Sequence, residues 1–200
     1  MANLKVEGFL KIFDPISMEV LVEKKNAIHY ENFSVALAQN VANKGTNFIT
    51  EMHFGNGGTT VDPTGVITYL PTNTTGSSAS LYNQTYYKVV DDNSVYNTDP
   101  QKNYIEVRHI PGAVYTDILI TCLLDYGEPS GQSAFDNNTN MESQYVFDEL
   151  GIKGWSVSGT PDTGKLLTHV IFHPIQKSLN RLIQIDYTIR VQSLTGFTGA

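Results

Sequence analysis

One stretch of the sequence is close to a nucleotide-binding loop. Gly159-Thr-Pro-Asp-Thr-Gly164-Lys165 has the glycine and lysine spacing of a phosphate-binding P-loop. The next position, which supplies a magnesium-binding hydroxyl in a P-loop, is Leu166. A P-loop also begins a helix, whereas the residues from Leu166 to Phe172 are typical of a strand. A Pro-Asp-Thr-Gly turn explains the same residues, and we predict a hairpin here.

Two histidines have the spacing of a helical metal site. His169 and His173 are four residues apart, but Thr168-His-Val-Ile-Phe-His173 is rich in β-branched and aromatic residues. On a strand, positions four apart lie roughly 13 Å from each other, too far to share one zinc ion. The position that supplies the general base of a metalloprotease is Val170. We therefore predict two strand histidines that face solvent or a neighbouring chain.

A run of oxygen-bearing side chains resembles the start of a calcium loop. Asp136-Asn-Asn138-Thr-Asn140 offers ligands at alternate positions. An EF-hand needs glycine and then glutamate further on, where this chain has Met141 and Phe147. The sequence excludes an EF-hand and leaves open an irregular calcium site between Asp136 and Glu142.

The remaining candidates for catalysis do not combine into a site. The carboxylate pairs Asp91-Asp92 and Asp148-Glu149 are adjacent, and neighbours on a strand point to opposite faces. The single cysteine, Cys122, lies in the apolar run 118–124 and is predicted to be a buried small hydrophobic residue. We predict no catalytic, cofactor-binding or metal-binding residue, and a protein that is not an enzyme.

The composition limits the classes of partner. The 200 residues carry a formal charge of −7, and the longest basic run is Lys24-Lys25, which argues against direct nucleic-acid binding. No window approaches the ~18 apolar residues of a membrane span, and no signal peptide is recognisable. We therefore expect a soluble protein made in a reducing cytosol. Only 16% of residues are charged. A neutral polar surface has a low desolvation cost, which favours contacts with other copies of the chain.

Hydrophobic periodicity predicts a single mainly β domain over residues 1–195. Residues 4–28 are predicted to form a hairpin, and residues 32–43 one short helix with Asn32 as N-cap and Gly45 as its stop. Further strands are predicted at 47–54, 66–70, 82–90, 104–109, 114–126, 166–172 and 182–192. Gly55-Asn-Gly-Gly58 suits tight turns or positive φ. Two long polar loops, 71–80 and 127–143, are predicted to be exposed, and the tail 196–200 to fray. The fold class is a β-sandwich or a jelly-roll-like domain.

Several phrases resemble a known group of proteins. They are Asn26-Ala-Ile-His-Tyr-Glu-Asn32 before the helix, Phe48 to Gly58, Leu81-Tyr-Asn-Gln-Thr-Tyr-Tyr-Lys88, Phe147-Asp-Glu-Leu-Gly-Ile152 and Leu166 to Arg181. Together they look like virion structural proteins of tailed bacteriophages, in which a Phe-x-Glu-Leu/Ile-Gly phrase precedes a hydrophobic strand. The resemblance spans most of residues 1–195 and carries no catalytic signature. It implies a multi-copy structural subunit at the neck (collar), tail or capsid surface of a virion, made in the host cytoplasm, whose partners are copies of itself and other virion proteins.

A second function from a different class stays open. A carbohydrate- or host-receptor-binding module on a sandwich fold would use aromatic side chains as stacking faces. The candidates are Tyr82, Tyr86, Tyr87, Tyr96, Tyr104, Tyr115 and Trp155. Aromatic residues are also favoured in strands for packing alone, so their presence does not decide between the two functions.

Overall fold

The computed structural model describes residues 3–45, 47–135, 144–154 and 160–194. Within these ranges the helix is α1 (Tyr30–Ala42). The strands are β1 (Asn3–Phe13), β2 (Val20–Ile28), β3 (Ile49–Gly55), β4 (Thr59–Val61), β5 (Ile67–Tyr69), β6 (Gln84–Val89), β7 (Tyr104–His109), β8 (Tyr115–Leu124), β9 (Gln144–Gly154), β10 (Leu166–Ser178) and β11 (Ile183–Leu194). The prediction of a mainly β chain with one short helix is confirmed.

Nine strands form one antiparallel sheet in the order β6-β3-β9-β10-β2-β1-β11-β8-β7. β4 and β5 form a separate two-stranded hairpin. β2 joins the two halves of the large sheet because most of it pairs with β1, whereas Ala27 and Ile28 at its end pair with His169 and Thr168 of β10. The predicted N-terminal hairpin of β1 and β2 is confirmed.

The sheet curls so that both halves contribute to one core, which is consistent with the predicted sandwich or jelly-roll-like architecture. Ile120 of β8 is fully buried in the same cluster as Phe54 of β3. The strand predicted at 182–192 is confirmed as β11. Of the residues on its inward face, Ile183, Ile185, Tyr187 and Ile189 are fully buried and Val191 is half-buried. An antiparallel strand with one buried face must alternate in this way.

The ends of α1 differ from the prediction. Its N-cap is His29, whose Nδ1 accepts the backbone N–H of Asn32 at 3.2 Å. Asn32 instead lies inside the helix, where its buried side chain donates to the carbonyl of Leu166 at 2.8 Å. The helix stops at Asn43, which adopts the left-handed conformation at φ 52°, before Gly45 is reached. An asparagine tolerates this conformation, so it replaces the expected glycine.

β4 was missed, β9 was expected only as the strand before the predicted hairpin and without bounds, and β10 is longer than predicted. β9 carries buried charged residues, Asp148, Glu149 and Lys153, which hide the apolar pattern that predicts strands. β4 has only three residues. β10 continues through Pro174 because its register with β9 shifts between Ile171 and Ile175, and an irregularity of this kind tolerates a residue without an N–H.

The hairpin predicted in place of a P-loop is confirmed. β9 and β10 are antiparallel neighbours, and residues 160–165 form the described part of the turn between them. Gly159 lies outside the described residues. Lys165 donates to the carbonyl of Ser77 at 3.3 Å. A strand follows this lysine where a P-loop would begin a helix, so the segment lacks the geometry that binds phosphate.

The polar loops are described in part. Residues 71–80 contain neither helix nor strand, but two of them are fixed: the Asn73 N–H donates to His169 at 2.8 Å, and the Gly76 carbonyl lies 2.9 Å from the His29 ring. Residues 127–135 form turns, and 136–143 lie outside the described residues, as does the tail 196–200. The open calcium site between Asp136 and Glu142 is therefore not described.

We expect the aromatic cluster around Phe147 to carry much of the stability. Phe147 is fully buried and packs edge-on against Phe54 and Phe172, with ring centroids 5.4 and 5.8 Å away. Phe147→Ala should lower the free energy of unfolding by about 3–5 kcal/mol, because it leaves a cavity that the sheet cannot close. Chemical denaturation measures the loss. Phe48→Ala, at a side chain 44% exposed, is the matched control and should cost far less. Equal losses for both variants would contradict the described core.

Candidate functional site

Glu149 and His169 form a fully buried pair at the centre of a polar network. The Glu149 carboxylate lies 2.9 Å from Nε2 of His169 and also accepts the backbone N–H groups of Tyr82, Asn83 and Gly57 at 2.9, 2.8 and 3.1 Å. Because Nδ1 of His169 accepts the N–H of Asn73, Nε2 is the nitrogen that donates to Glu149. The network ties three loop segments to β9 and β10.

The pKa of Glu149 reflects these contacts. Burial alone raises the pKa of a carboxyl, but the hydrogen bonds from His169 and from the amides of Asn83 and Tyr82 outweigh it and lower the pKa of Glu149 below its ordinary value. Both side chains of the pair have no solvent exposure, so a substrate cannot reach them in this conformation. The prediction that His169 faces solvent or a neighbouring chain is wrong, because the side chain is buried within one chain. His173 is exposed, and its Nδ1 lies 3.2 Å from the Tyr69 hydroxyl.

Asp148, the neighbour of Glu149, binds the same loop from the other side. Its carboxylate accepts the N–H groups of Gly58 and Thr59 at 2.9 Å each and the Thr59 hydroxyl. Burial is the main reason why the pKa of Asp148 is raised. The two carboxylates thus contact different N–H groups of the same loop, Glu149 that of Gly57 and Asp148 that of Gly58.

The glycines of this loop serve close approach. A Cβ atom at Gly55 would lie 2.5 Å from the Asn83 carbonyl and from the Glu149 carboxylate, and one at Gly57 would lie 2.7 Å from the Asn83 nitrogen. Gly55, Gly57 and Gly58 do not have positive φ. The part of the prediction that invoked positive φ is wrong, because what these positions require is space for neighbouring backbone.

A second buried network surrounds His53. Its Nε2 lies 2.9 Å from the Glu51 carboxylate, which also accepts the Asp162 N–H at 3.0 Å, and its ring stacks on Tyr87 with centroids 5.4 Å apart. Lys153 contacts the Asp162 carboxylate at 3.1 Å. Burial lowers the pKa of His53, against the opposing effect of Glu51. The network fastens the turn between β9 and β10 to β3.

Two buried lysines hold the segment that follows β8. Lys177 donates to the carbonyls of Asp125, Glu128 and Ser178 at 2.9, 2.7 and 2.9 Å, and burial lowers the pKa of Lys177 to about 8. Lys88 donates to the Leu123 carbonyl at 2.6 Å and pairs with Glu128. These contacts position the residues up to 135 beside β6.

Gln132 in that segment caps the edge strand β6 at Tyr87. β6 is the last strand on its side, and the main chain of Tyr87 faces outward from it. The Gln132 side chain accepts the Tyr87 N–H at 2.8 Å and donates to the Tyr87 carbonyl at 3.1 Å. An amide side chain thus occupies the groups that a further strand would use.

The opposite edge, β7, is open over most of its length. The Ile105 N–H points away from β8, because it donates to the Asp92 carboxylate at 3.4 Å. By the alternation of an antiparallel strand, the main-chain groups of Val107 and His109 point the same way. Within the residues that the structure describes, these outward groups have no hydrogen-bond partner. Val107 is 67% exposed.

A cavity of about 790 Å³, here called the edge pocket, lies beside β7. It is bounded by α1, by the segments 47–49 and 91–96, and by one residue each of β7, β8, β10 and β11. Its apolar lining residues are Phe33, Ala36, Leu37, Phe48, Ile49, Val95, Ile105, Ile118, Leu167 and Val191. The volume is in the range of ligand sites. Its polar lining includes Asp91 and Asp92, the other carboxylate pair of the sequence, which accept the N–H groups of Asn93 at 3.0 Å and Ile105 at 3.4 Å.

The other predicted residues are dispersed. Cys122 is fully buried, as predicted, and burial raises the pKa of its thiol to about 12. Tyr86 is in the core, Tyr96 lines the edge pocket at 51% exposure, and Tyr115 lies under the Arg190 guanidinium, 4.0 Å from the ring centroid. Trp155 lies outside the described residues. No group of three or more potential metal ligands occurs within the described ranges.

We expect Glu149 to be a structural anchor. Glu149→Ala should lower the free energy of unfolding by about 3 kcal/mol or more, because it leaves His169 and three backbone N–H groups buried without an acceptor. Urea denaturation measures the change. Glu23→Ala, at an exposed position, is the control and should stay within about 0.5 kcal/mol of the parent. A loss below about 1 kcal/mol for Glu149→Ala would contradict the anchoring role.

The lowered pKa of His53 predicts a pH effect on stability. The unfolded chain protonates His53 near its ordinary pKa of 6.5, whereas the folded chain holds the ring neutral to lower pH. Stability contributed by the neutral ring is therefore complete above about pH 6.5 and declines as the pH falls below it. His53→Gln should make the slope of unfolding free energy against pH shallower in this range. His173→Gln, at an exposed site, is the matched control for the substitution itself. Equal slopes for the parent and His53→Gln would refute the assignment.

Comparison with known proteins offers no relative from which a function is transferred. No family model, no curated protein and no solved structure matches this chain. The described part of the chain contains no helix long and apolar enough to cross a membrane. Function is therefore inferred from the β7 edge, the edge pocket and the buried polar networks.

Proposed function

We propose that this chain is a non-enzymatic structural subunit that assembles in multiple copies, with further copies of itself and with other proteins, into a tailed-bacteriophage virion. The observation that carries the assembly role is the difference between the two edges of the large sheet. On the β6 edge Gln132 caps the main chain of Tyr87, and the flanking residues Thr85 and Val89 are buried. On the β7 edge Val107 and His109 are exposed and present unpaired main-chain groups. Open edges are the usual sites of strand addition.

The surface beside the open edge has the character of an interface. Exposed apolar side chains are found on and near β7, namely Val95, Val107, Ile110 and Val114, at 92, 67, 63 and 47% exposure. The edge pocket adds further apolar surface next to them. Burying such a surface against another protein is favourable, and the low charge of the chain reduces the desolvation cost.

The ionisable side chains support a structural role. Three carboxylates are buried and accept hydrogen bonds from loop amides or from histidines, namely those of Glu149, Asp148 and Glu51. Catalytic carboxylates need access to a substrate. In the described residues, these groups join strands to loops through hydrogen bonds.

The virion part of the proposal is supported by the sequence resemblance alone. Its phrases fall on recognisable elements: Phe147-Asp-Glu-Leu-Gly lies in β9, and the hydrophobic strand after it is β10. We propose a position at the neck, tail or capsid surface, reached after synthesis in the host cytoplasm. β9 and β10 lie in the interior of the large sheet, where each pairs with a strand on both sides. Such strands are held rigidly, which suits a subunit that is present in many copies.

A carbohydrate- or receptor-binding role is the second candidate. One observation favours it: Tyr96 is half-exposed and lines the edge pocket, and an aromatic ring at a pocket can act as a stacking face for a sugar. A glycan panel tests this candidate directly. A specific signal that Tyr96→Ala abolishes, while the assembly state is unchanged, would favour this function over the first.

The assembly role predicts concentration-dependent association of the purified chain. Sedimentation velocity over increasing concentrations should show species larger than the monomer, and mass spectrometry of purified phage particles should detect the chain in multiple copies. A chain that stays monomeric at every concentration and is missing from particles would refute the proposal.

A further inference from the structure

The side chains of β7 are complementary to those of a second copy of the same strand. Glu106 and Arg108 point to one face of the strand, where Arg108 donates to Glu106 at 2.8 Å and both side chains are about half-exposed. Ile105 and Val107 point to the other face, which is the face of the edge pocket, since Ile105 lines that pocket. The edge thus has a charged face with one residue of each sign and an apolar face.

We propose that β7 pairs antiparallel with β7 of a second copy, about a two-fold axis at Val107. This inference rests on the proposed assembly function and names its partner and register. In this register Val107 faces Val107 of the partner subunit, and the two residues exchange both main-chain hydrogen bonds. Ile105 lies opposite His109 of the partner subunit. The nine-stranded sheets of the two copies become one continuous sheet.

The charges select this register over its neighbours. With the axis at Val107, Glu106 lies opposite Arg108 of the partner subunit, and the same pair occurs twice because the contact is symmetric. Sliding the strands by two residues keeps the outward main-chain groups opposite each other. One slide puts Glu106 opposite its own copy, and the other puts Arg108 opposite its own copy. Like charges directly opposite are unfavourable, and opposite charges are favourable.

The apolar face gains from the same register. Val107 is 67% exposed in the isolated chain and is covered by its symmetry mate. Ile105, which lines the edge pocket, is on the same face of the strand as Val107. The edge pockets of the two copies therefore lie on the same side of the joined sheet. Among the described residues, the main-chain contact of β7 that must change is the bond from the Ile105 N–H to Asp92, which at 3.4 Å is already long. The His109 carbonyl of the partner subunit replaces Asp92 as its acceptor.

Charge reversal at the edge tests the register. Glu106→Arg gives an edge with two positive charges, and Arg108→Glu gives one with two negative charges. Each variant alone should dimerise about tenfold more weakly than the parent, because every cross-strand charge pair becomes repulsive. An equimolar mixture should form a heterodimer at about the parent affinity, because Arg then faces Glu at every pair. The double variant Glu106→Arg/Arg108→Glu should also recover that affinity.

Sedimentation equilibrium measures these affinities. Lys44→Glu and Glu23→Arg, which reverse exposed charges off this strand, are the matched controls and should associate like the parent. Circular dichroism of each variant at low concentration verifies that the monomer remains folded, as expected for exposed side chains.

The outcomes separate this inference from the proposed function. Weak single variants together with a restored mixture support the register. If the parent assembles and the charge variants assemble equally well, the β7 pairing is overturned while the structural role stands. If the parent is monomeric alone yet is found in particles, the second copy is overturned as the partner, again without touching the structural role. A monomer that is also missing from particles overturns both.

Discussion

A nine-stranded sheet that does not close on itself has two edges, and the main-chain groups along each edge must find partners or stay in water. The chain treats its two edges differently. Lys177 and Lys88 hold the segment after β8 so that Gln132 meets the main chain of Tyr87. Nothing comparable covers Val107 and His109 within the described residues. A sheet that added copies at both edges would grow into an insoluble fibre. With one protected edge and one open edge, each copy pairs through a single edge, which favours a closed two-fold contact.

The buried carboxylates explain how long polar loops are held by a small sheet. Glu149 accepts N–H groups from two separate segments and from His169, and Asp148 accepts those of Gly58 and Thr59. A charged acceptor satisfies several donors at once, which neutral side chains do less well. The opposite shifts of the two pKa values, raised for Asp148 and lowered for Glu149, follow from the balance between burial and hydrogen bonding at each position. Both carboxylates therefore hold neighbouring loops against β9.

Period-two patterns made the strands with one apolar face predictable, and β11 follows its pattern closely. β9 was not predictable in this way, because it contains the buried charged residues Glu149 and Lys153. The groups that bind them are distant in the chain, and only the fold brings them together. The same reason hid the burial of His169, which looks like a solvent-facing residue until Glu149 lies beside it. The open edge at β7 was also beyond the sequence, since strand order depends on contacts between remote segments. The Gly55-Asn-Gly-Gly58 run was a usable signal: several glycines in a row mark a place where backbones approach closely.

Hydrogen exchange at individual amides of the parent chain tests the central claim most directly, since it reports whether the outward groups of β7 acquire partners. The account predicts that exchange at Val107 and His109 slows as the protein concentration rises, while exchange at Tyr87, whose N–H already donates to Gln132, stays constant. Rapid exchange at Val107 and His109 at concentrations where the chain is associated would contradict it, because the assembly would then use another surface.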